Sequence, residues 1–395
     1  MNYIFISPNY PDFFYKFPAA LKKKGARVFG IGDSGFICNE LKSSVEEYIV
    51  IPNMTNYSAL ENVVGQIANK YGAIGGVDSI NEFWLESESR LREKFNIDGA
   101  KGDLMQDYKF KSRMKSRFAK ANVPAAPWIK SANKNDIADF ANQQGFPLFC
   151  KPDNGVGAEG THKFGDFEHL MNFLNNNNFG ECIFEPFVDG EIYSFDGLCD
   201  KDGELVFTAA HRFYTPIDEL KQSGCECVYR TLTEIPTTLF EEGSRTAKAF
   251  ELKNSFFHIE FFKLNKAIDG VADVGEFVAL EANMRIAGGY TAEMIYNALG
   301  LDIYALWAAV VGGEKPNLND YTFFPTKRAV VNVSRKNGRT YKFTPQQLKD
   351  AFAHEYILGA ETAKDENPFG NYEMIAAFTD ENRLNEFVEM ALEKI

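Results

Sequence analysis

A glycine-rich loop between two short apolar segments sets the strongest constraint on how this chain folds. Gly155, Gly157 and Gly160 spell G-x-G-x-x-G, the pattern of a dinucleotide-binding turn. In such a turn the third glycine lies inside a helix, whose N-terminal N–H groups bind a pyrophosphate. Here the segment "THKF" after Gly160 is strand-like, and the next helix is expected only from Asp166. The loop is therefore predicted to join two strands as a mobile flap.

The residues of this loop are suited to bind an anion. Glycine lets the backbone approach a ligand and turn its N–H groups toward it, and Lys151 adds a positive charge at the base of the loop. The loop by itself is equally consistent with a plain glycine-rich hairpin beside an exposed lysine. A second feature of the sequence is needed to decide between them.

Two later segments place acidic side chains on one face of a sheet. In "FFHIEFF", alternation with a period of two puts His258 and Glu260 on one face. In "FVALEANMR", it does the same for Glu281, Asn283 and Arg285. If these strands pair, the two glutamates repel each other unless a cation lies between them. Their oxygens suit Mg²⁺, usually held by one or two carboxylates and substrate phosphates; the alternative is two solvated glutamates on an open sheet face.

The order of apolar segments predicts a mixed α/β and α+β chain. Residues 1–105 alternate strands and helices, which predicts a parallel, doubly wound domain with a crevice at its strand ends. Residues 106–188 hold a basic helical segment and the glycine loop. Residues 189–320 are typical of an antiparallel sheet followed by one helix over residues 291–313, and residues 321–395 of a small α+β part.

Composition argues against several kinds of partner. Forty-two basic and 55 acidic residues give a net charge of −13, so a broad positive field for nucleic acid or an anionic membrane is excluded. The start "MNYIFISPNY" lacks the features of a signal peptide, and the apolar segment 303–311 is too short to span a bilayer. The six cysteines form no paired C-x-x-C knuckles, so no zinc site is assigned. A cytoplasmic chain without nucleic-acid or membrane partners is expected.

The segments together resemble the ATP-grasp superfamily, specifically its carboxylate–amine ligase branch with L-amino-acid ligases, D-alanine–D-alanine ligase and biotin carboxylase. The most specific motif is "HIEF" followed by "LEANMR", similar to the family's metal-site strands ending in E-x-N-x-R. "FPLFCKP" and the glycine loop lie at the right distance upstream, and the resemblance covers nearly the whole chain. It implies a Rossmann-like N-terminal domain followed by a two-subdomain ATP-grasp fold with an antiparallel catalytic sheet.

The resemblance also implies which lysines contact ATP. The segment "FKSRMKSRFAKANVP" is similar to the family's D-K-x-x-M-R-x-x-L-x-x-A-G-V-P, which makes Lys111 the first ATP lysine. Phe110 and Asn122 replace the usual aspartate and glycine, so Lys109 stays open as an alternative, as does a solvated basic helix. Lys151 is similar to the second ATP lysine, with the glycine loop over the phosphates.

The segment "EPFVDGE" resembles the hinge between the two ATP-grasp subdomains. The family binds adenine there through backbone groups, which implies the Pro186 carbonyl and the Val188 N–H. Glu185 would orient the base, and Glu191 would hold the ribose hydroxyls. The alternative is an ordinary Asp-Gly turn between two glutamates.

The metal strands supply the remaining residues that the resemblance implies. Arg285 is similar to the catalytic arginine, and the implied Mg²⁺ ligands are Glu260, Glu281 and Asn283. His258 and Arg230 are candidates to contact substrate. The alternatives are that His258 is a structural histidine and that Arg230 is a surface arginine. The substrate pocket would further draw on the segment 211–230, on "AGGYT" after Arg285, and on the first-domain residues Asn9, Tyr10 and Glu82.

The implied activity is an ATP-dependent joining of a carboxylate to an amine. The γ-phosphoryl group of ATP, with Mg²⁺ as cofactor, would convert the acid to an acylphosphate that the amine attacks, releasing ADP and phosphate. A small carboxylic acid or amino acid and an amine are the expected substrates. A bicarbonate-dependent carboxylase, a nucleotide-binding regulator without activity, and a homodimer are left open.

Overall fold

A computed structural model provides the structure, and it describes residues 1–35, 37–155, 160–215, 225–324, 326–361 and 370–395. Over these ranges no helix is both long enough and apolar enough to cross a membrane. Gly157, which the sequence assigns to the flap, lies outside the described residues, whereas Gly155 and Gly160 are described.

The N-terminal part forms a parallel sheet in the order β3-β2-β1-β4, which confirms the predicted doubly wound domain. Its strands are β1 (Asn2–Ile6), β2 (Arg27–Gly32), β3 (Glu47–Val50) and β4 (Ile74–Asp78). Its helices are α1 (Lys16–Lys23), α2 (Asn39–Ser44), α3 (Tyr57–Tyr71) and α4 (Leu85–Phe95), with 3₁₀ turns at Asp12–Tyr15 and Glu82–Trp84. All of β1 is buried, as expected for a strand covered by helices on both faces. The strand order reverses between β1 and β4, so the loops after these two strands border the crevice where such sheets bind ligands.

The glycine loop belongs to a small antiparallel sheet in the order β6-β5-β7. Its strands are β5 (Leu148–Pro152), β6 (His162–Phe164) and β7 (Cys182–Pro186). The helices before and within this region are α5 (Gly102–Asp107), α6 (Lys111–Lys120), α7 (Lys134–Gln144) and α8 (Phe167–Asn176). Gly160 is followed by strand β6, which pairs with β5, and not by a helix. The dinucleotide-binding turn is therefore excluded, as predicted.

The largest sheet is antiparallel and has the order β12-β11-β8-β9-β10-β13-β15-β14. Its strands are β8 (Gly190–Cys199), β9 (Leu205–Phe213), β10 (Val228–Thr231), β11 (Ser255–Leu264), β12 (Phe277–Asn283), β13 (Ala329–Arg335), β14 (Tyr356–Glu361) and β15 (Tyr372–Phe378). The predicted catalytic strands β8, β9, β11 and β12 form one end of it. The strands of the C-terminal part, β13 to β15, extend the same sheet.

The helices of this half are α9 (Thr237–Ala249), α10 (Thr291–Leu299), α11 (Ile303–Val311), α12 (Pro345–Ala351) and α13 (Glu381–Leu392), with a 3₁₀ turn at Leu318–Tyr321. The prediction of a single helix over residues 291–313 is wrong, because this segment forms the two separate helices α10 and α11. Gly300 ends α10 in the left-handed conformation, with φ of 63°. Asp302 then caps α11 by accepting a hydrogen bond from the Ala305 N–H.

One apolar core joins the first domain to the large sheet. Phe5 of β1 and Phe17 of α1 pack against Trp307 of α11, and the ring centroids of Phe17 and Trp307 are 5.3 Å apart. Phe17 also contacts Phe256 of β11, with centroids 6.0 Å apart. Since these side chains are buried, the first domain is held directly against the sheet that carries the predicted metal strands.

Candidate active site

The two predicted metal strands pair in the expected register. In the antiparallel pairing of β11 with β12, Glu260 lies opposite Glu281 and His258 lies opposite Asn283. Directly opposed residues share a face of the sheet, so the four side chains lie side by side. Glu260 is only 8% exposed, which does not fit a solvated glutamate on an open face.

The oxygen atoms of this face suit a hard divalent cation. Asn283 is buried, and its Oδ1 has no hydrogen-bond partner among the described residues. A buried acceptor left unpaired costs about 1–3 kcal/mol, which a cation shared with the two carboxylates would offset. In the described ranges no three His, Cys, Asp or Glu side chains form a metal cluster by themselves. Two carboxylates and an amide oxygen fit Mg²⁺, which takes further ligands from phosphate and water.

Lys111 connects these strands to the glycine loop. Its Nζ lies 3.2 Å from Glu281 Oε1 and donates to the Gly155 carbonyl over 2.7 Å. Lys111 is the first residue of α6, and its backbone N–H donates to the carbonyl of Asp153. Of the two candidate lysines, Lys111 thus has a side chain that reaches both the flap and the metal strands.

Asp153 fixes the start of α6, and the sequence analysis did not single it out. It is 2% exposed and accepts hydrogen bonds from the Ser112 N–H and hydroxyl, each over 2.7 Å. Lys130 Nζ donates to the same carboxylate over 2.8 Å. Burial would raise the pKa of Asp153, but Lys130 and Ser112 hold it below its usual value. The ionised carboxylate thereby fastens the helix that carries Lys111 to the base of the glycine loop.

Lys151 forms an ion pair with Glu185 inside the small sheet. Lys151 Nζ lies 3.1 Å from Glu185 Oε2, and Lys115 Nζ lies 2.5 Å from Glu185 Oε1. Burial would raise the pKa of Glu185, but the two lysines lower it to about 2. Lys115 was missed in the sequence, although it lies four residues after Lys111 and so shares its helix face.

The predicted hinge residues lie in and around the short connection between β7 and β8. Pro186 is the last residue of β7, and Val188 is buried against Leu264 and Val278. Glu191, near the start of β8, pairs with Arg212, whose Nη2 lies 2.7 Å from Glu191 Oε1. Glu185 faces the two lysines on one side of this connection and Glu191 faces Arg212 on the other.

His258 lies between two carboxylates. Its Nδ1 is 2.7 Å from Asp196 Oδ1 and its Nε2 is 3.3 Å from Glu260 Oε1. Burial would lower the pKa of His258, but Asp196 and Glu260 raise it to about 10. Asp196 also contacts His211 Nδ1 over 2.8 Å. These contacts hold His258 between Asp196 on β8 and Glu260 on its own strand. The sequence analysis did not single out Asp196, although it lies opposite His258 on the face of the sheet that carries Glu260.

Arg285 links the end of β12 to the first domain. Its Nη2 donates to Glu82 Oε2 over 2.7 Å, and its Nη1 donates to the Ile286 carbonyl over 2.9 Å. The Arg285 and Glu82 side chains are 16% and 9% exposed. Glu82, predicted as a pocket residue, thus contacts the implied catalytic arginine directly.

A strained turn presents Glu82 to Arg285. Ile80, two residues earlier, has φ of 58°, a left-handed conformation that is unusual for a β-branched residue. Such strain persists only where the surroundings hold it. Glu88 of α4 accepts a hydrogen bond from the Ser79 N–H over 2.7 Å, and Arg92 pairs with Glu88 over 3.0 Å. These buried contacts keep the turn after β4 in place.

Arg230 is not part of this group of residues. Its neighbour Val228 packs into the cluster under α13, and the Arg230 guanidinium pairs with Glu381 at the start of α13. Tyr229, between them in the sequence, points to the opposite face. Arg230 therefore lies on the α13 face of the sheet and His258 on the opposite face, and the candidate substrate role of Arg230 stays a prediction.

The other predicted pocket segments are only partly described. Asn9 lies in the loop after β1, where it accepts a hydrogen bond from the Tyr48 hydroxyl over 3.2 Å, and Tyr10 next to it is 60% exposed. Of the segment 211–230, residues 216–224 lie outside the described residues. Tyr290 of "AGGYT" stacks on Phe13 of the first domain, with ring centroids 5.4 Å apart.

Comparison with known proteins places this arrangement in a known fold. No family model matches the chain. The chain is 22% identical over 308 residues, 75% of its length and 71% of the relative's, to an L-arginine-specific L-amino acid ligase from Bacillus subtilis. An L-amino acid ligase from Bacillus licheniformis has a similar structure, with a TM-score of 0.74 at 15% identity over 99% of this chain and 96% of that one. The chain has the ATP-grasp fold.

A second ATP-grasp structure matches nearly as well. The N5-carboxyaminoimidazole synthetase from Staphylococcus aureus has a TM-score of 0.70 at 14% identity, with coverage of 99% of this chain and 96% of that one. The predicted resemblance to ATP-grasp carboxylate–amine ligases and the predicted fold class are confirmed.

The Glu185 ion pairs predict a pH-dependent contribution to stability. Because the pKa falls from 4.5 to about 2 on folding, the contribution is complete above pH 5 and is lost as the pH falls toward 2. The shift corresponds to roughly 3 kcal/mol, of which about 2 kcal/mol is lost by pH 3. Urea unfolding of the parent and Glu185→Gln between pH 7 and pH 3 should show the difference in unfolding free energy shrinking accordingly. Glu168→Gln, at an exposed position of α8, is the control, and its difference should change by less than about 0.5 kcal/mol, as is usual for a surface charge. A constant difference for Glu185→Gln would contradict the assignment.

The Arg285 and Glu82 pair predicts energetic coupling between the first domain and the large sheet. A double-mutant cycle with Glu82→Gln and Arg285→Gln should give a coupling free energy of about 1–3 kcal/mol in urea unfolding, because both groups are largely buried. The control cycle uses Lys24 and Glu314, an ion pair of 2.7 Å that also joins the first domain to a later segment but is more exposed. It should give less than about 0.5 kcal/mol. Equal coupling in both cycles would count against a special role for the Arg285 contact.

Proposed function

We propose that this chain is an ATP-dependent ligase that joins an amino acid or small carboxylic acid to an amine. The observation that carries the proposal is that Glu260 and Glu281 lie opposite each other on one face of the sheet. Lys111 forms an ion pair with Glu281, and Arg285 follows Glu281 by four residues. This arrangement combines oxygen ligands with cations close to the glycine loop. The similarity to an L-arginine-specific L-amino acid ligase supports amino acids as substrates.

The reaction requires that a carboxylate become an electrophile. Transfer of the γ-phosphoryl group of ATP to a carboxylate oxygen breaks the bond between the γ-phosphorus and the β,γ-bridging oxygen, and gives ADP and an acylphosphate. The amine nitrogen then attacks the acyl carbon, loses a proton, and expels phosphate. Atoms and charge balance with ATP, acid and amine as the reactants.

The residues of the chain would divide this work. Lys111 and Lys151 would neutralise phosphate charge, and their ion pairs with Glu281 and Glu185 hold them in place before ATP binds. Arg285 would stabilise the charge that develops on the acyl oxygen and the transferring group. Glu260, Glu281 and Asn283 would hold Mg²⁺, which when bound offsets the charge of the β- and γ-phosphates. The hinge at Pro186 and Val188 would bind adenine.

An isotope experiment tests the acylphosphate. When an ¹⁸O-labelled carboxylic acid or amino acid is the substrate, one labelled oxygen should appear in the released phosphate, and ADP should be the nucleotide product. The screen uses single amino acids, pairs of amino acids and small acids, each with and without bicarbonate. AMP with labelled nucleotide, or amide product with unlabelled phosphate, would contradict the mechanism. ADP release that depends on bicarbonate would favour a carboxylase instead.

Removal of the second ATP lysine tests the nucleotide site. Lys151→Ala should reduce substrate-dependent ADP release by more than about 100-fold, because it removes a fixed charge beside the phosphates. Lys134→Ala, a lysine at the start of α7 that contacts Asn175, should leave the rate within about 2-fold. Urea midpoints of both variants check that the fold is intact. Parent-like turnover in a folded Lys151→Ala variant would refute the assignment.

A further inference from the structure

Glu373 is a buried carboxylate that the mechanism above does not use. It lies on β15, is 5% exposed, and accepts a hydrogen bond from Asn332 Nδ2 over 2.8 Å. In the described part of the chain no lysine, arginine or histidine forms an ion pair with it. By contrast, the buried Glu185 has two lysine partners and Glu88 has Arg92. Burial raises the pKa of Glu373 against the effect of the Asn332 hydrogen bond.

Asn332 places a second acceptor beside this carboxylate. The residue is 1% exposed, and its Oδ1 has no hydrogen-bond partner among the described residues. A carboxylate and an amide oxygen are both acceptors, so neither satisfies the other. Buried acceptors are normally paired with donors. The two oxygens therefore suit a ligand group that carries several N–H donors.

Glu373 lies on the same face of the large sheet as the metal strands. Opposed residues in the strand pairings form one row across the sheet, which consists of Glu281, Glu260, Ser194, His211 and Thr231. Tyr229 is two residues before Thr231 and so shares its face, and Tyr229 lies opposite Asn332. Asn332 lies opposite Ile375 of β15, and Glu373, two residues before Ile375, shares its face and accepts the hydrogen bond from Asn332.

The loop after β12 runs along this face toward Glu373. A Cβ built on Gly289 would lie 3.4 Å from the Tyr229 hydroxyl, so the loop backbone approaches the sheet closely. Burial and the nearby Glu373 carboxylate raise the pKa of Tyr290 to about 12, and Tyr290 stacks on Phe13 of the first domain. Tyr229 and Tyr290, which belong to two of the segments predicted to form the substrate pocket, thus lie near Glu373.

We propose that Glu373 and Asn332 bind the cationic side chain of a basic amino acid substrate. The ammonium or guanidinium N–H groups would donate to the Glu373 carboxylate and to Asn332 Oδ1. A neutral donor such as a hydroxyl would satisfy the acceptors but would leave the buried charge uncompensated. The proposal rests on the proposed ligase function, since the same amino acid would react at the Arg285 end of this face.

The test compares cationic substrates with neutral ones of similar shape. With the full chain, ATP and Mg²⁺, ADP release is measured for L-arginine against L-citrulline, and for L-lysine against L-norleucine. The parent should favour each cationic member by at least about 10-fold in kcat/KM, because charge-assisted hydrogen bonds discriminate strongly. Glu373→Gln should bring each ratio within about 2-fold, because it removes the charge that pairs with the cationic side chain and that a neutral side chain leaves uncompensated. Glu373→Asp keeps the charge and should retain part of the preference.

The control variant is Glu381→Gln, a more exposed carboxylate whose partner Arg230 lies on the other face of the sheet. It should leave both ratios at the parent value. Urea midpoints show that each variant is folded. If Glu373→Gln does not fold, the kcat/KM ratios of the parent and of Glu373→Asp still test the proposal. A parent without charge preference, or an equal loss on all four substrates in Glu373→Gln, would overturn the proposal.

A binding measurement separates this proposal from the proposed ligase function. Thermal unfolding without nucleotide should show that L-arginine raises the Tm of the parent, but not of Glu373→Gln, and that L-citrulline does not. ADP release with neutral amino acids and no charge preference would refute the cation site and leave the ligase. A Tm increase confined to the parent, without ADP release for any amino acid, would support the cation site and refute the ligase.

Discussion

The antiparallel register between β11 and β12 is the constraint on which the candidate active site depends. Because side chains alternate along a strand, a slip of one residue would turn Glu260 into the core and bring Ile259 or Phe261 onto the site face. The buried aromatic residues on the other side of β11 prevent such a slip. The same alternation that packs the core therefore holds the carboxylates opposite each other, and no separate device is needed to bring them together.

Buried charges around the site are held almost entirely in pairs. Glu185 lies between two lysines, His258 between Asp196 and Glu260, and Arg285 against Glu82. Compared with apolar residues of similar volume, pairing of this kind adds little net stability, although removing one partner is costly because it leaves a buried charge alone. Its effect is to fix orientations before a ligand arrives, which lowers the reorganisation required during a reaction. Glu373 differs because its carboxylate has an amide partner and no cation in the described chain.

Much of the site could be predicted from local patterns. Alternation identified β11 and β12 and the shared face of Glu260 and Glu281, and the strand-like residues after Gly160 excluded a dinucleotide-binding turn. These features depend on a few neighbouring residues. The break between α10 and α11 also had a local signal, Gly300 followed by Asp302, which the apolar periodicity of the segment obscured.

The residues that were missed depend on contacts between distant segments. Lys115 and Asp153 look like ordinary surface residues until α6 is packed against the small sheet. Asp196 gains its role only when β8 lies between β9 and β11. The surroundings of Arg230 could not be predicted either, because the pairing of the short strand β10 with β9 and β13 decides on which face of the sheet each of its side chains lies.

The attachment of the first domain has a consequence for protein engineering. A chimeric protein can be designed by exchanging a whole domain at a linker. In this chain such an exchange would separate Phe17 from Trp307 and Glu82 from Arg285. Separating the aromatic pair would expose apolar surface to water, and separating the ion pair would leave the Arg285 guanidinium without its counter-charge. A replacement domain would have to reproduce both the aromatic surface of α1 and the acidic turn after β4 to yield a working hybrid.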